Sequence, residues 1–353
     1  MTTQRLSELL HRLPDLELAV VGDFFLDKYL ILDPALSETS LETGLEAYQV
    51  VAKRLSPGAA GTVCNNLTAL MAGLPDVAPP RAKSGGIRAV GVIGDDGEGY
   101  DLLQGLQRRG VDTDLLVQTP ERFTPTYTKP MMRQADGSER EINRQDIKNR
   151  SPLPPALEDK VIANLRACLP QLNGVIIADQ VQERNCGVIT DRVRADLAAL
   201  AEQYTGVIFF ADSRVRIGEF RNVIIKPNIH EAIHALLPGP QVEATLDLAK
   251  QCSRELSSRN RQPVYLTAGD QGIFLFHEGG CQHIPAVPVT GEIDIVGAGD
   301  STTAGIVLSL CAGATLAEAA LVGNLVASVT IQQLGTTGTA SPQQLLARLQ
   351  ALM

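Results

Sequence analysis

An α/β fold with a mostly parallel central sheet, flanking helices and a small β lid follows from three observations on this 353-residue chain. Short apolar runs alternate with segments of helical period over most of its length, the signature of βαβ units. Two stretches break that rhythm and read as a separate small sheet. Residues 301–317 and 319–347 carry no charge, yet Ser, Thr, Gly, Asn and Gln interrupt them, which suits buried helices better than a membrane span.

In chain order, residues 16–21 are the first buried strand, ending at Gly22-Asp23. Residues 87–93 and 97–109 read as strand and helix. The segments 174–178, 189–204, 207–211, 223–226, 228–237, 242–256 and 263–267 continue the alternation. Residues 30–55 follow the first strand without a helical period. Residues 124–147 read as two strands around the turn sequence Ala135-Asp136-Gly137-Ser138. With its segments at about 30–55 and 113–147, the lid belongs to a single domain covering 1–353. The Pro- and Gly-rich residues 72–86 read as a surface loop.

Hydrophobic residues make up 44% and charged residues 20%, as expected of a globular protein. A net charge of −9, 4% aromatics and no Trp argue against a nucleic-acid partner. The six cysteines are scattered with no C-x-x-C pair, so reduced thiols are expected and no zinc site is suggested. The N-terminal segment is charged throughout, unlike a signal peptide. The expected location is the cytoplasm, with no membrane partner.

The stretch Asp294-Ile295-Val296-Gly297-Ala298-Gly299-Asp300 raises the central question. Glycines expose backbone N–H groups, and a helix starting near Asp300 would add the positive end of its dipole, making an anion site. A carboxylate there repels anions unless it accepts a proton from a hydroxyl that attacks a phosphoryl group held by Gly297, Ala298 and Gly299. A strand-to-helix turn with Asp300 as N-cap is the plainer alternative. The chain has no Gly-Lys dipeptide, hence no P-loop, and the first strand ends in one glycine, short of the dinucleotide G-x-G-x-x-G.

Neighbouring stretches add to that reading. Asn228 and Glu231 share one face of a helix start, suiting a hydrated Mg²⁺ or, equally, a capping box. Thr267, Gly269 and Gly272 suit close approach of a nucleotide, or form a plain turn. Asp23 and Asp27 bracket the residues just past the first strand and suit sugar hydroxyls, unless Asp23 binds loop amides. Gly58 and Ala59 lie in a small-residue turn before a helix containing Asn66.

Taken together, these segments resemble the ribokinase-like (PfkB) carbohydrate kinases, from about residue 16 to 349. The 294–300 stretch stands where that family has D-T-x-G-A-G-D. Asn228 and Glu231 match its N-x-x-E; Thr267, Gly269 and Gly272 match its T-x-G-x-x-G; Gly323-Asn324 and residues 334–339 fall at its adenine and cation segments. The chain resembles in particular the heptose 7-phosphate kinase branch, through Gly22-Asp23, Leu26-Asp27 and Tyr29, through Pro125-Thr126 and Thr128-Lys129, and through Arg144 and Asp146. Asp212 falls at its D-P-K position, with Arg214 replacing the lysine. The family's P-G-G-A-A-N box reads Pro57-Gly58-Ala59-Ala60-Gly61-Thr62 here, without the second glycine or the asparagine.

The resemblance implies a three-layer fold and transfer of the ATP γ-phosphate to a sugar or sugar phosphate, with Asp300 as general base over a Gly297–Ala298–Gly299 anion hole. It implies a sugar site at Asp23, Asp27, Gly58, Ala59, Asn66, Lys129 and Arg144, with Lys129, Arg133 or Arg144 on any phosphate the sugar carries. ATP would meet Asn228, Thr267, Gly269, Gly272 and Asn324; Mg²⁺ would be held through water by Asn228 and Glu231; K⁺ would lie near Asp294. Pairing of lids into a homodimer is also implied. A nucleoside kinase and a non-catalytic sugar or nucleotide sensor are the alternatives.

Overall fold

The computed structural model describes residues 1–74, 86–239, 242–335 and 337–352. Most of the expected surface loop, together with Thr336 of the 334–339 segment, lies outside the described residues.

Helix α1 (Thr3–Arg12) leads into β1 (Leu18–Gly22). The chain then leaves the body through β2 (Phe24–Leu32), a short hairpin of β3 (Glu38–Thr39) and β4 (Glu46–Ala47), and β5 (Val50–Ala59). It returns by α2 (Ala60–Met71), β6 (Ile87–Gly94), α3 (Gly97–Gln107) and β7 (Leu116–Thr119), then goes out again through β8 (Thr126–Arg133), β9 (Glu139–Glu141) and β10 (Gln145–Ile147). The second half runs α4 (Pro155–Cys168), β11 (Gly174–Asp179), α5 (Asp191–Gln203), β12 (Ile208–Ser213), β13 (Ile224–Ile225), α6 (Ile229–Leu236), α7 (Leu246–Asn260) and β14 (Val264–Thr267). The antiparallel pair β15 (Ile273–His277) and β16 (Gly280–Ile284) precedes α8 (Ala298–Cys311), α9 (Leu316–Thr330) and α10 (Pro342–Gln350).

The main sheet has the order β16-β15-β14-β13-β12-β11-β1-β6-β7, parallel from β14 to β7. Both of its faces are covered, so its strands are continuously apolar rather than alternating. On β1, Leu18 and Val20 enter the core under α1, α2, α3 and α8–α10, while Ala19 and Val21 enter the opposite core under α4–α7. The uncharged segments run through α8, α9 and the start of α10, with Ser301–Ser309 of α8 and most of Ala319–Thr330 of α9 buried. Thr190, Thr245 and Thr315 accept backbone N–H groups as N-caps where the helical periods begin.

The lid is a second sheet, ordered β10-β8-β2-β5 with β9 on β8. It is larger on one side than expected and smaller on the other. β2 starts directly after Asp23 because Phe24–Asp27 pair with Ser56–Ala59, so this lid segment covers 24–59. Residues 116–119 pair parallel with β6 and belong to the main sheet, so the second segment starts at Thr126. The expected turn forms, with Gly137 at φ 83.

Where β5 enters α2, Ala59 sits at φ 52, ψ −118, a region that disfavours any Cβ. This is the position where the resembling kinases carry glycine. Ala59→Gly should therefore raise stability by about 1 kcal/mol, relieved strain outweighing the added freedom of the unfolded chain. A denaturant midpoint that does not rise, at unchanged slope, would count against that account.

Candidate active site

The carboxyl ends of the central strands converge below the lid. Asp212 lies in β12, Lys226 follows β13, Glu231 is in the first turn of α6, and Asp300 is in the first turn of α8. The Lys226 ammonium is buried and sits 2.9 Å from Asp212 Oδ2, which also accepts from Thr303 Oγ1 at 3.1 Å. Burial opposes the Lys226 charge, but Asp212, Glu231 and Asp300 outweigh it and hold its pKa above the ordinary lysine value. Burial and then Asp212 push the Asp300 carboxyl up to about 7, against the opposing pull of Lys226 and Arg214. Glu231 rises to about 7 for the same two reasons.

Helix α8 begins at Ala298, with Gly297 as N-cap at φ 81, so Asp300 is the third helical residue rather than the cap. A left-handed φ favours glycine there, and a Cβ at Gly297 would press on Thr337 at 3.2 Å. The expected trio of amides is corrected in one member. The Ala298 N–H donates to Ile295 O at 3.1 Å, whereas the N–H groups of Gly297, Gly299 and Asp300 have no acceptor among the described residues. A Cβ on Gly299 would lie 3.6 Å from Lys226 Nζ, so the ammonium sits close to the first turn of α8.

Asn228 and Glu231 form the reciprocal capping box. Glu231 N donates to Asn228 Oδ1 at 2.9 Å, and Asn228 N donates to Glu231 Oε2 at 2.8 Å. This occupies the Asn228 acceptor in the cap and leaves the second Glu231 oxygen outside it. Asp294 Oδ1 accepts from Val296 N and Oδ2 from Gly335 N, so it braces the loop before α8.

Among the residues expected to meet a nucleotide, Thr267 Oγ1 donates to Pro227 O at 3.3 Å. Asn324 Nδ2 donates to Ile284 O and Pro285 O. Gly272 lets residues 284–286 pass close by, since a Cβ there would sit 2.4 Å from Ile284 O. These three shape the wall, and Gly269 opens onto free space.

The expected sugar residues divide. Asp27 stays available at the lid hinge, with Oδ1 3.2 Å from Lys129 Nζ and Oδ2 over Gly58, where a Cβ would collide at 2.4 Å. Lys129 also bonds Tyr29 Oη and lies 4.7 Å from its ring centre. Asp23 is corrected to its plainer alternative. Its Oδ2 accepts from Gln180 N and Val181 N, and its Oδ1 from Val188 N, so it latches the loop after β11. Burial, then Asp179, raises it to about 6. Asn66 is wholly buried and donates to Thr62 O within α2, and its Oδ1 has no partner among the described residues. Arg144 pairs with Asp146 and covers the Tyr127 ring at 4.6 Å; Arg133 lies 4.0 Å from Asp33.

The mostly parallel central sheet with helices on both faces and a second, small β sheet is a ribokinase-like α/β fold. Residues 58–344 match the pfkB family of carbohydrate kinases, and the chain belongs to that family. It is similar to the bifunctional protein HldE of Trichlorobacter lovleyi, 28% identical over 349 residues and 98% of this chain. It is also similar to HldE of Gluconacetobacter diazotrophicus, 29% identical over 334 residues and 94% of this chain. The chain spans 65% and 63% of the lengths of these two relatives. The fold is that of Arabidopsis thaliana ribokinase complexed with ribose and ATP, with a TM-score of 0.66 at 18% identity, covering 95% of this chain and 99% of the other. Phosphofructokinase-2 from Escherichia coli, in complex with potassium, superposes at a TM-score of 0.65 with 17% identity and the same two coverages.

Proposed function

We propose that the protein transfers the γ-phosphate of ATP to a hydroxyl of a sugar or sugar phosphate, a heptose 7-phosphate being the first acceptor to test. One observation carries the reading: a carboxyl lifted to about 7 stands one residue behind open helix N–H groups and beside the Lys226 ammonium. A base with a pKa near the working pH accepts a hydroxyl proton efficiently. The N–H groups of Gly297, Gly299 and Asp300, with Lys226, offset charge on the moving phosphoryl group, which is the main demand of this chemistry. Asp27 and Gly58 orient the acceptor, and closure of the lid excludes water. ATP lies along Gly269, Gly272 and Asn324.

Mg²⁺ fits the Glu231 carboxylate through water, since that residue keeps one oxygen outside its cap. Held there, the ion would supply positive charge against the phosphates of the nucleotide. Asp294 and its loop are the candidate K⁺ site. Cytoplasmic location and a lid-to-lid homodimer belong to the same proposal. Among the described residues, no helix is long and apolar enough to cross a membrane, and Leu41, Leu45, Val50 and Val51 leave the lid partly apolar on its exposed side. Light scattering that gives a monomer would remove the dimer.

The test is Mg²⁺-dependent ATP consumption against hexoses, heptose 7-phosphates, other sugar phosphates and nucleosides. Turnover of one sugar or sugar phosphate supports the reading. Turnover of nucleosides alone would replace it with a nucleoside kinase, and ATP binding with no turnover would replace it with a sensor.

A further inference from the structure

Away from the transfer site, a groove of about 820 Å³ opens at the amino end of β14, between the carboxyl end of α7, the β15–β16 turn and the first residue of α9. That volume is in the range of small-molecule sites. Thr267, expected to meet a nucleotide, ends β14, so the groove lies about 10 Å of strand away from it. Arg254, Arg261 and His277 line the groove, together with the apolar Pro263, Phe276 and Leu316.

The two arginines are seven residues apart, two turns of helix, and so share one face of α7 at its carboxyl end. Neither has a carboxylate within 4.0 Å among the described residues. The third arginine of this turn differs, since Arg259 Nε donates to Glu255 at 2.6 Å. Among the described residues Glu278 is the one carboxylate on the wall, so positive charge prevails there. The planar fork of a guanidinium matches a phosphate or carboxylate in two-point contact.

His277 adds a donor that is fixed in place. Its Nδ1 accepts from Gly279 N at 3.1 Å, so the neutral imidazole carries its proton on Nε2. Gly279 makes room for the ring, because a Cβ there would lie 2.6 Å from it. Arg261 is the C-cap of α7 at φ 58, ψ 25, where glycine is the unstrained choice. An arginine at that position costs stability, and a guanidinium on the groove wall is what the position gains. Charge, directed donors and apolar surface therefore coincide in one groove.

We propose that this groove binds an organic anion, a phosphate or carboxylate carried on an apolar body, at a site separate from the transfer site. The anionic head lies between Arg254 and Arg261, and the body lies against Pro263, Phe276 and Leu316. The proposal does not depend on the kinase reading and is measured without turnover. Calorimetry compares inorganic phosphate, phenyl phosphate, benzoate and phenol on the wild type, Arg254→Gln and Arg261→Gly. Both arginines are exposed, and glycine adopts φ 58 freely, so Arg261→Gly should hold or raise the melting temperature.

Phenyl phosphate or benzoate should bind more tightly than inorganic phosphate, and phenol more weakly than either. Each variant should weaken the anion about tenfold, the scale of one lost charged hydrogen bond. The tighter of phenyl phosphate and benzoate identifies the head group. Affinity unchanged in both variants puts the anion elsewhere, such as the open N-terminus of α8, and overturns the proposal. Equal affinity for inorganic and phenyl phosphate overturns it too, as does the absence of binding. A lower melting temperature in Arg261→Gly, with anion affinity kept, would assign that arginine to the helix end alone and count equally against the site.

Discussion

Asp300→Asn is expected to lower turnover by roughly 10²–10⁴-fold, the usual scale for losing a positioned base. ATP affinity should be unchanged or slightly tighter, because the substitution removes a carboxylate from the anion site. Asn matches Asp in shape, so a folding defect would not explain the loss. Turnover within about tenfold of wild type would remove Asp300 from the mechanism.

The same substitution has a second, opposite signature. Asp300 has a native pKa raised from 3.8 to about 7 by burial and Asp212. Between those values the native state holds more protons than the unfolded state, so this group makes stability fall as pH rises through that window. Above about 7 the native protein carries the full burden of a buried carboxylate. Asn has no such burden. Asp300→Asn should therefore melt higher than wild type at pH 8, with the gap closing toward pH 4. A gap of the same size at both pH values would show that the carboxylate is not strained in the native state.

Much of this architecture is legible in the sequence because it is written in local pattern. Buried parallel strands are short apolar runs, and Thr190, Thr245 and Thr315 mark helix starts wherever the helical period begins. The lid boundaries are less legible. Phe24–Asp27 is apolar enough to extend β1, and only pairing with Ser56–Ala59, some thirty residues away in the chain, assigns it to the lid. Asp23 and Asn228 were ambiguous for a different reason. A polar side chain that suits a ligand also suits a backbone amide, and the structure gives both to amides. Lys226 carried the least signal, since a lone basic residue has no motif. The hint for Lys226 was energetic: a lysine closing the buried strand run 223–226 needs a counter-charge, and Asp212, Glu231 and Asp300 provide it only after folding.

Lys226 is for that reason the more telling target. Its ammonium lies 2.9 Å from Asp212 and lowers the Asp300 pKa, whereas burial and Asp212 raise it. Removing the charge in Lys226→Met leaves the raising influences of burial, Asp212 and Asp27 opposed by Arg214. A nearby opposite charge holds a carboxyl down by roughly 1–3 units, so the acidic limb of the pH–rate profile should move to higher pH by up to about that amount. Activity at pH 7 should fall tenfold or more, at roughly one decade per unit, and recover in part at pH 9 as Asp300 ionises. If the lysine acts only by touching the transferred phosphoryl group, turnover drops by the same factor at every pH and the limb stays in place. The displacement of the limb, rather than the size of the loss, decides whether Lys226 sets the base or serves the phosphate.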